Sequence, residues 1–455
     1  MVMNIEFQLT STPITSTAGL AFIGDHLKET KLSRHLSSVC PHVRKSGRIA
    51  DIDVAKSMIG LLCLGKPDFD AVGEYRDEPF FSHSLGLQRL PSPETLRQRI
   101  ASWPEKTRPV WRDFTLRLLR RNKKLLTEKI HGRRYTAIDV DVSPMDNSDT
   151  KKEGVSWTYK KFDGYAPIFA YMGPGFMLNN ELRAGSAHSN HEGTGQWIAQ
   201  TLQMARKITG DTILFTGDSG NDSKDNVEIL REQPNTDFIL KRNLRKQDLA
   251  EWLALAKQQT GEENYEKVDI GARAWYGEND VVLPGQDQVP EHKKVKQRVV
   301  FRATWRFAKP DGVTAQYVTD PQITIDAYWT SLDWTPQQIQ AFYQRRGTSE
   351  QYHSELKSDM GVERLPSGKF AANQQILDLA MIAYNLLRLL GQQMLQTGLV
   401  PGRKARSQRL RLRTVMQNLM YMAGRLVRHA RRYILHIFKG HGWALPAMAL
   451  ARGPD

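Results

Sequence analysis

Cysteine is nearly absent from this chain. Cys40 and Cys63 are the only two in 455 residues, and neither belongs to a CxxC pair. That excludes a zinc site built on cysteines and fits a reducing cytoplasm. Long apolar runs are also missing: the longest, around MIGLLCLG, is far too short to span a bilayer. The start, MVMNIEFQLTSTP, has neither a basic opening nor a cleavable apolar core, so it does not read as a secretory signal. No internal repeat or long low-complexity linker appears. The expectation is a cytoplasmic protein with no membrane partner. Acid is scarce beside base: 49 Asp and Glu against 64 Lys and Arg give a net charge of +15. Such a balance suggests a polyanionic partner, with nucleic acid first and an anionic membrane surface second. The length allows two or three domains with real cores.

Residues 1–130 read as helical. DIDVAKSMIGLLCLG puts Val54, Met58, Leu61 and Leu62 on one face. LPSPETLRQRIASW opens with Ser92 as a cap and Pro93 at the first helical position, then presents Arg97, Gln98 and Arg99. A short capped helix with Arg and Gln near its start suits the recognition helix of a helix-turn-helix, and Arg97 and Arg99 become candidate DNA contacts. A strongly basic stretch, TLRLLRRNKKLLTEKIHGRR, follows. From Tyr135 the pattern turns to period two. In YTAIDVDVS, Thr136, Ile138, Val140 and Val142 share one face while Asp139, Asp141 and Ser143 share the other. Two carboxylates on one face of an otherwise apolar strand are costly if buried without a partner or cation. The order from here is three strands, helix, strand, helix, strand. It predicts a meander followed by parallel pairing through helical crossovers. TILFTGDSG ends a strand at Asp218, just before a helix, where open α/β sheets place ligand-binding groups. Residues 265–332 alternate again, as an inserted β-rich unit.

The stretch YQRRGTSEQYHSELKSD, Tyr343 to Asp359, carries four acids among basic and aromatic residues. Thr335, Pro336 and Gln338 read as a helix start with a capping box. On one continuous helix, stepping about 100° per residue from Tyr343, Arg346 falls near 300°, Glu350 near 340° and Lys357 near 320°. These four share a narrow face, whereas Glu355 falls near 120°, on the far side. NQQILDLAMIAYNLLRLLGQQML then reads as a long amphipathic core helix. From Pro401 there are twelve Lys or Arg and one acid, Asp455, in a basic tail read as helical and leaning towards nucleic-acid contact.

Three acids from distant positions thus stand out: Asp141 or Asp139 on the first strand, Asp218 at a strand end, and Glu350 on a helix. Carboxylates without cysteine or HExxH suit hard cations such as Mg²⁺ or Mn²⁺. Two such ions about 3.5–4 Å apart can activate water or a 3′-hydroxyl and stabilise the leaving oxygen in phosphodiester cleavage. Arg346 and Lys357 would then meet a DNA phosphate. Asp139 and Asp141 lie about 7 Å apart at a strand rise of about 3.3 Å per residue, so a single carboxylate bridging two ions suits the spacing better than two equal ligands. Asp141 lies nearer the C-terminal end of its strand, with Asp139 as the alternative or as an outer or second-ion group.

Tyr343, Arg346, Glu350 and Lys357 match the Tyr-x2-Arg-x3-Glu-x6-Lys signature, and the chain resembles the bacterial insertion-sequence DDE transposases that carry it. DVDVS resembles that group's first-aspartate strand, where Ser or Thr follows the acid by two; LFTGDSG resembles its second-aspartate strand and LRAGSAHSN its third strand. The resemblance covers residues 45–395. It implies an α/β fold with an RNase H-like mixed-sheet core, an inserted β-rich unit and an all-α N-terminal DNA-binding region; the basic helical C-terminal tail lies outside it, with no role the resemblance assigns. The division runs 1–130, 131–264, 265–332, 333–398 and 399–455. It also implies cut-and-paste transposition by a homodimer acting on double-stranded DNA, at terminal inverted repeats and target, in a bacterial nucleoid. Catalytic and metal roles fall to Asp141, Asp218 and Glu350, with Asp139 beside them, holding two Mg²⁺ or Mn²⁺ ions. Tyr343, Arg346 and Lys357 take DNA roles. In such enzymes an aromatic residue of the insertion can stack on a flipped base, for which Trp275, Trp305 and Trp329 are candidates. His188 and Asn190 read as loop residues. The competing readings are an RNase H-like nuclease or resolvase without strand transfer, and a domesticated DNA-binding regulator.

Overall fold

The computed structural model describes residues 10–28, 32–40, 49–245, 247–283, 285–286, 288–310, 315–402, 408–430 and 432–452. A short strand β1 (Ile14–Thr15) precedes six helices: α1 (Leu20–Lys28), α2 (Leu32–Val39), α3 (Asp51–Cys63), α4 (Pro79–Leu85), α5 (Pro93–Ser102) and α6 (Arg108–Arg121). The start of α5 forms as its residues dictate. The Ser92 hydroxyl accepts from the Thr95 amide at 3.2 Å, and Pro93 takes the first position, where its missing N–H costs nothing. In α3, Val54, Met58, Leu61 and Leu62 are all buried.

The central part runs β2 (Glu128–Ile130), β3 (Arg133–Val142), β4 (Met145–Asp146), β5 (Ser156–Trp157), β6 (Asp163–Tyr165), β7 (Ile168–Met172), β8 (Phe176–Glu181), α7 (Thr194–Arg206), β9 (Thr212–Gly217), α8 (Lys224–Glu232), β10 (Thr236–Lys241) and α9 (Leu249–Thr260). It continues through β11 (Glu266–Asp269), β12 (Ala272–Val282), β13 (Lys296–Pro310) and β14 (Ala315–Thr330). The ten-stranded sheet is ordered β11-β12-β13-β14-β10-β9-β3-β7-β8, with β2 also paired to β3. Strands β3, β7 and β8 form the antiparallel meander, and β3, β9 and β10 run parallel through the crossovers that α7 and α8 make. On β3 the period-two pattern is realised: Thr136, Ile138, Val140 and Val142 are buried, while Asp139 and Asp141 stay partly open on the other face.

The stretch from 265 to 332 is not a separate unit. Strand β14 pairs antiparallel with β10, Leu240 opposite Trp329, so β11 to β14 extend the central sheet. Strand β14 covers the edge of β10 over Ile239–Lys241, whose backbone groups would otherwise stay unpaired.

Beyond the sheet come α10 (Pro336–Gln344), α11 (Gly347–Ser354) and α12 (Phe370–Gln396). The capping box at Thr335 and Gln338 is present in both directions. Helix α12 is buried almost throughout and packs on β8, α3 and α6. It also satisfies the free edge of β8. Asn385 accepts from the Met177 amide and donates to its carbonyl, both at 2.7 Å, and Gln374 accepts from the Leu182 amide at 2.6 Å. Side-chain amides thus stand in for an eleventh strand.

The C-terminal segment departs from the helical tail expected of it. After a short α13 (Leu412–Val415) come β15 (Gly424–His429), β16 (Arg432–Ile437) and α14 (Ala444–Arg452). Strand β15 pairs with β16 and with β1, so the N-terminal region is not all helical either. Alternation decides this. Gly424 and Leu426 are buried while Arg425 and the outer residues of β16 are exposed, a period-two pattern that a count of basic residues conceals. Arg403, Lys404 and Arg406 of the basic run lie outside the described residues.

Candidate active site

The register of β3 and β9 builds the site. Asp139 stands opposite Thr216 and Val140 opposite Gly217, so Asp141 and Asp218 follow as neighbours where both parallel strands end. Their proximity is felt electrostatically: burial, then the Asp141 charge, raise the Asp218 carboxyl above its ordinary range. Asn221 holds Asp218 in place, donating from Nδ2 to Oδ1 at 2.7 Å. Asp139 sits deeper. It accepts from Thr216 Oγ1 at 2.8 Å, from Ser349 Oγ and from Arg346 Nε, and burial still raises its carboxyl. Asp141 accepts from its neighbour's amide, Val142 N, at 3.0 Å and meets His353 Nε2 at 3.3 Å. Burial opposes its charge, but the His353 hydrogen bond and Arg346 outweigh that and leave its carboxyl below the usual range.

Arg346 is the cation of this cluster. Besides Asp139 it donates from Nη2 to the Val140 carbonyl at 2.7 Å and lies 3.5 Å from Asp141. Burial disfavours its charge, yet the surrounding carboxylates hold the guanidinium firmly protonated. Two acids on one strand face demand positive charge, so Arg346 is engaged inside the protein and not presented to a phosphate. Lys357 is likewise turned inwards. Its Nζ donates to the Pro144 carbonyl and stands 3.9 Å from Glu363, and burial lowers its pKa. The Tyr343 hydroxyl donates to the Gly217 carbonyl at 3.2 Å, and burial pushes its pKa up to about 12.

Glu350 does not join the aspartates. It is exposed, and Ser349 holds the place expected for it. The reason is a tightened turn. The amides of Arg345, Arg346, Thr348 and Ser349 bond to carbonyls three residues back, at 2.8 to 3.1 Å. Three residues per turn means a step of about 120° against about 100° in an α-helix, and over five residues the excess is about one position. Residues Glu355–Asp359 then form a π-turn, with Met360 N bonded to Glu355 O at 3.0 Å, which unwinds the chain again. Glu355 does face the far side, but that side is core. It is 1% exposed and pairs with Arg388 and, at 2.7 Å, with Arg409.

Among the described residues no three acidic, histidine or cysteine side chains converge on one point. The adjacent pair Asp141 and Asp218 fits a hard cation by its chemistry; the third carboxylate is turned away. A cavity of about 500 Å³ opens beside Asp139, with Ala137, Thr216, Arg345, Arg346 and Ser349 on its walls. Ser349 and His353 are site residues that the sequence reading passed over. His353, four residues after Ser349 in α11, shares the helical face that Ser349 turns to the aspartates, one position away from the face that the sequence spacing predicts.

The remaining candidates lie elsewhere. Arg99 pairs with the buried Asp51 at 2.6 Å, because that carboxylate and Trp103 leave it a structural partner. Arg97 is exposed but shared between Glu94 and Asp70 at 3.2 and 3.5 Å. Trp329 is fully buried, its Nε1 donating to Asp222 at 2.8 Å under the Arg242 guanidinium, so it is core and cannot stack on a base. Trp275 is 2% exposed and bonds the Glu262 carbonyl at 3.0 Å. Trp305 is half-buried beneath Lys257. His188 and Asn190 lie in the loop between β8 and α7, where Asn190 accepts from Asn226 at 3.3 Å.

Comparison with known proteins adds a family. A family model described as transposase DDE domain group 1 matches residues 2–447. No curated protein matches. Among solved structures, a cryo-EM structure of a piggyBac transposase synaptic complex with hairpin DNA is similar at a TM-score of 0.40 and 12% identity, over 91% of this chain and 82% of that one.

Proposed function

Since the chain belongs to the group 1 family of transposase DDE domains, we propose that it is the transposase of an insertion sequence, cutting DNA at terminal inverted repeats and joining the freed ends to a target. The observation that carries this reading is the placing of Asp141 and Asp218 side by side at the ends of two parallel strands. The strand order β8-β7-β3-β9-β10, a meander joined to parallel strands, supports an RNase H-like core. DDE transposases use divalent metals, and here Asp141 and Asp218, with Asp139 behind them and Glu350 as third acid, would hold Mg²⁺ or Mn²⁺. Bound there, such ions lower the pKa of water or a 3′-hydroxyl and stabilise the leaving oxygen.

The protein's own part is to bring Glu350 in. If the tight turn across 345–349 relaxes to α-helical spacing, the start of α11 turns back by about one residue, about 100°. Glu350 then replaces Ser349 beside the aspartates. The π-turn after α11 is a ready place to absorb the change.

The exposed Glu350 also favours a second reading, a chain that binds DNA without cutting it. A cleavage assay on end-containing duplex separates the two. Under our reading the protein cuts with Mg²⁺ and not with Ca²⁺, and Glu350→Gln binds the end but does not cut. Wild-type protein that binds and never cuts would support the binder. Glu350→Gln cutting as well as wild type would remove Glu350 from the site.

A further inference from the structure

We infer that the ribbon formed by β15 and β16 is a docking surface for duplex DNA. The inference rests on the DNA-processing reading above and gives the C-terminal segment a role in it. The ribbon is the outer part of a three-stranded sheet ordered β1-β15-β16, so β16 is an edge strand. Its register sorts the side chains into two faces. Gly424 with Ile437 and Leu426 with Leu435 point at the protein, and Gly424 and Leu426 are buried. On the opposite face Arg425 pairs with His436, Val427 with Ile434 and His429 with Arg432. All four basic residues of that face are exposed. The Arg428–Tyr433 pair lies on the same face as Gly424 and Leu426, with the Tyr433 ring 4.8 Å from that of His83, while just past the ribbon Phe438 is 75% exposed with Lys439 beside it.

Exposed cross-strand pairs normally gain from opposite charge, and bases set against bases gain nothing from each other. This ribbon has no acid to offer: residues 401–454 contain no Asp or Glu. Elsewhere the same segment spends its arginines inwards, Arg409 on Glu355 and Arg411 and Arg413 on Asp359. Arg425, Arg428, Arg432 and Lys439 form no ion pair among the described residues. Folding therefore gives no account of these cations, and a polyanion does. A two-stranded ribbon, its strands about 4.8 Å apart, enters a major groove about 12 Å wide. The exposed Phe438 ring at its end suits a base or sugar better than bulk water. An anionic membrane offers the same charge, but the outward face carries only one apolar pair, Val427 and Ile434, between its basic ones.

The test uses the full chain with Arg425, Arg432 and Lys439 all changed to Ala, and a second variant with Arg425→Lys and Arg432→Lys. Binding to a 30-base-pair duplex is titrated at several salt concentrations, and thermal melting checks the fold. The proposal expects the Ala variant to melt as wild type and bind more weakly. Its dependence of log K on log[salt] should be shallower by about 0.9 per phosphate contact removed. The Lys variant should retain most of the binding. Unchanged affinity and slope in the Ala variant, while wild type binds, would overturn the ribbon and leave the DNA-processing reading standing. Failure of wild type to bind duplex at all would bring down both. Loss of binding to phosphatidylserine vesicles without loss of DNA binding would assign the surface to membranes and overturn the proposal.

Discussion

The two aspartates of β3 show how far residue-level reasoning reaches. Period two places Asp139 and Asp141 on one face, and no other residue is needed to see it. Which of them matters depends on β9, whose register the sequence does not state. Asp141 adjoins Asp218, whereas Asp139 lies behind, tied to Thr216, Ser349 and Arg346. Asp141→Asn is therefore expected to abolish cleavage with both Mg²⁺ and Mn²⁺. Asp139→Asn should leave measurable activity in Mn²⁺. A single-turnover assay in the two metals decides this, and a cutting Asp141→Asn beside a dead Asp139→Asn reverses the choice. Glu350 was harder to place because its position depends on whether each amide reaches back three, four or five residues. Those bonds answer to packing around Ser349 and Glu355, which no local pattern in YQRRGTSEQYHSELKSD encodes.

Among the elements, those whose partners lie close in sequence were legible, and those completed from far away were not. The caps at Ser92 and Thr335 and the meander at β3, β7 and β8 follow from neighbouring residues. The Gly173–Gly175 turn joins β7 to β8, and Gly175, at φ +90°, has the Tyr352 ring where a Cβ would stand. The C-terminal hairpin needed β1 as a partner some four hundred residues earlier, so charge composition dominated its reading. The π-turn is completed from the same distant segment. Glu355 takes Arg388 and Arg409, and Asp359, whose side chain is fully buried, takes Arg411 and Arg413. Removing one partner of a buried pair leaves an uncompensated charge, at a cost of about 3–5 kcal/mol. Deleting residues 399–455 takes both partners from Asp359 and leaves Glu355 with Arg388 alone. The truncated chain is expected to lose its cooperative melting transition and its near-ultraviolet circular dichroism. A truncated protein that melts like the whole chain would show that the C-terminal segment does not hold the π-turn.

Across the whole molecule, net charge was the most legible property and the least specific. A charge of +15 says that a polyanion is welcome, not where it sits. Much of the arginine that suggested DNA contact instead answers buried acids: Arg99 to Asp51, Arg108 to Asp378, Arg346 to Asp139 and Arg388 to Glu355. These cations are neutralised within the fold, so they meet no phosphate and displace none of the counterions condensed on DNA. Only surface cations, those of the ribbon among them, contribute to the salt dependence. Affinity for a non-specific duplex should therefore fall with salt at about 0.9 logarithmic units per phosphate that a surface cation meets. Titration across a four-fold range of salt measures that slope. A flat response would remove phosphate contact from the binding.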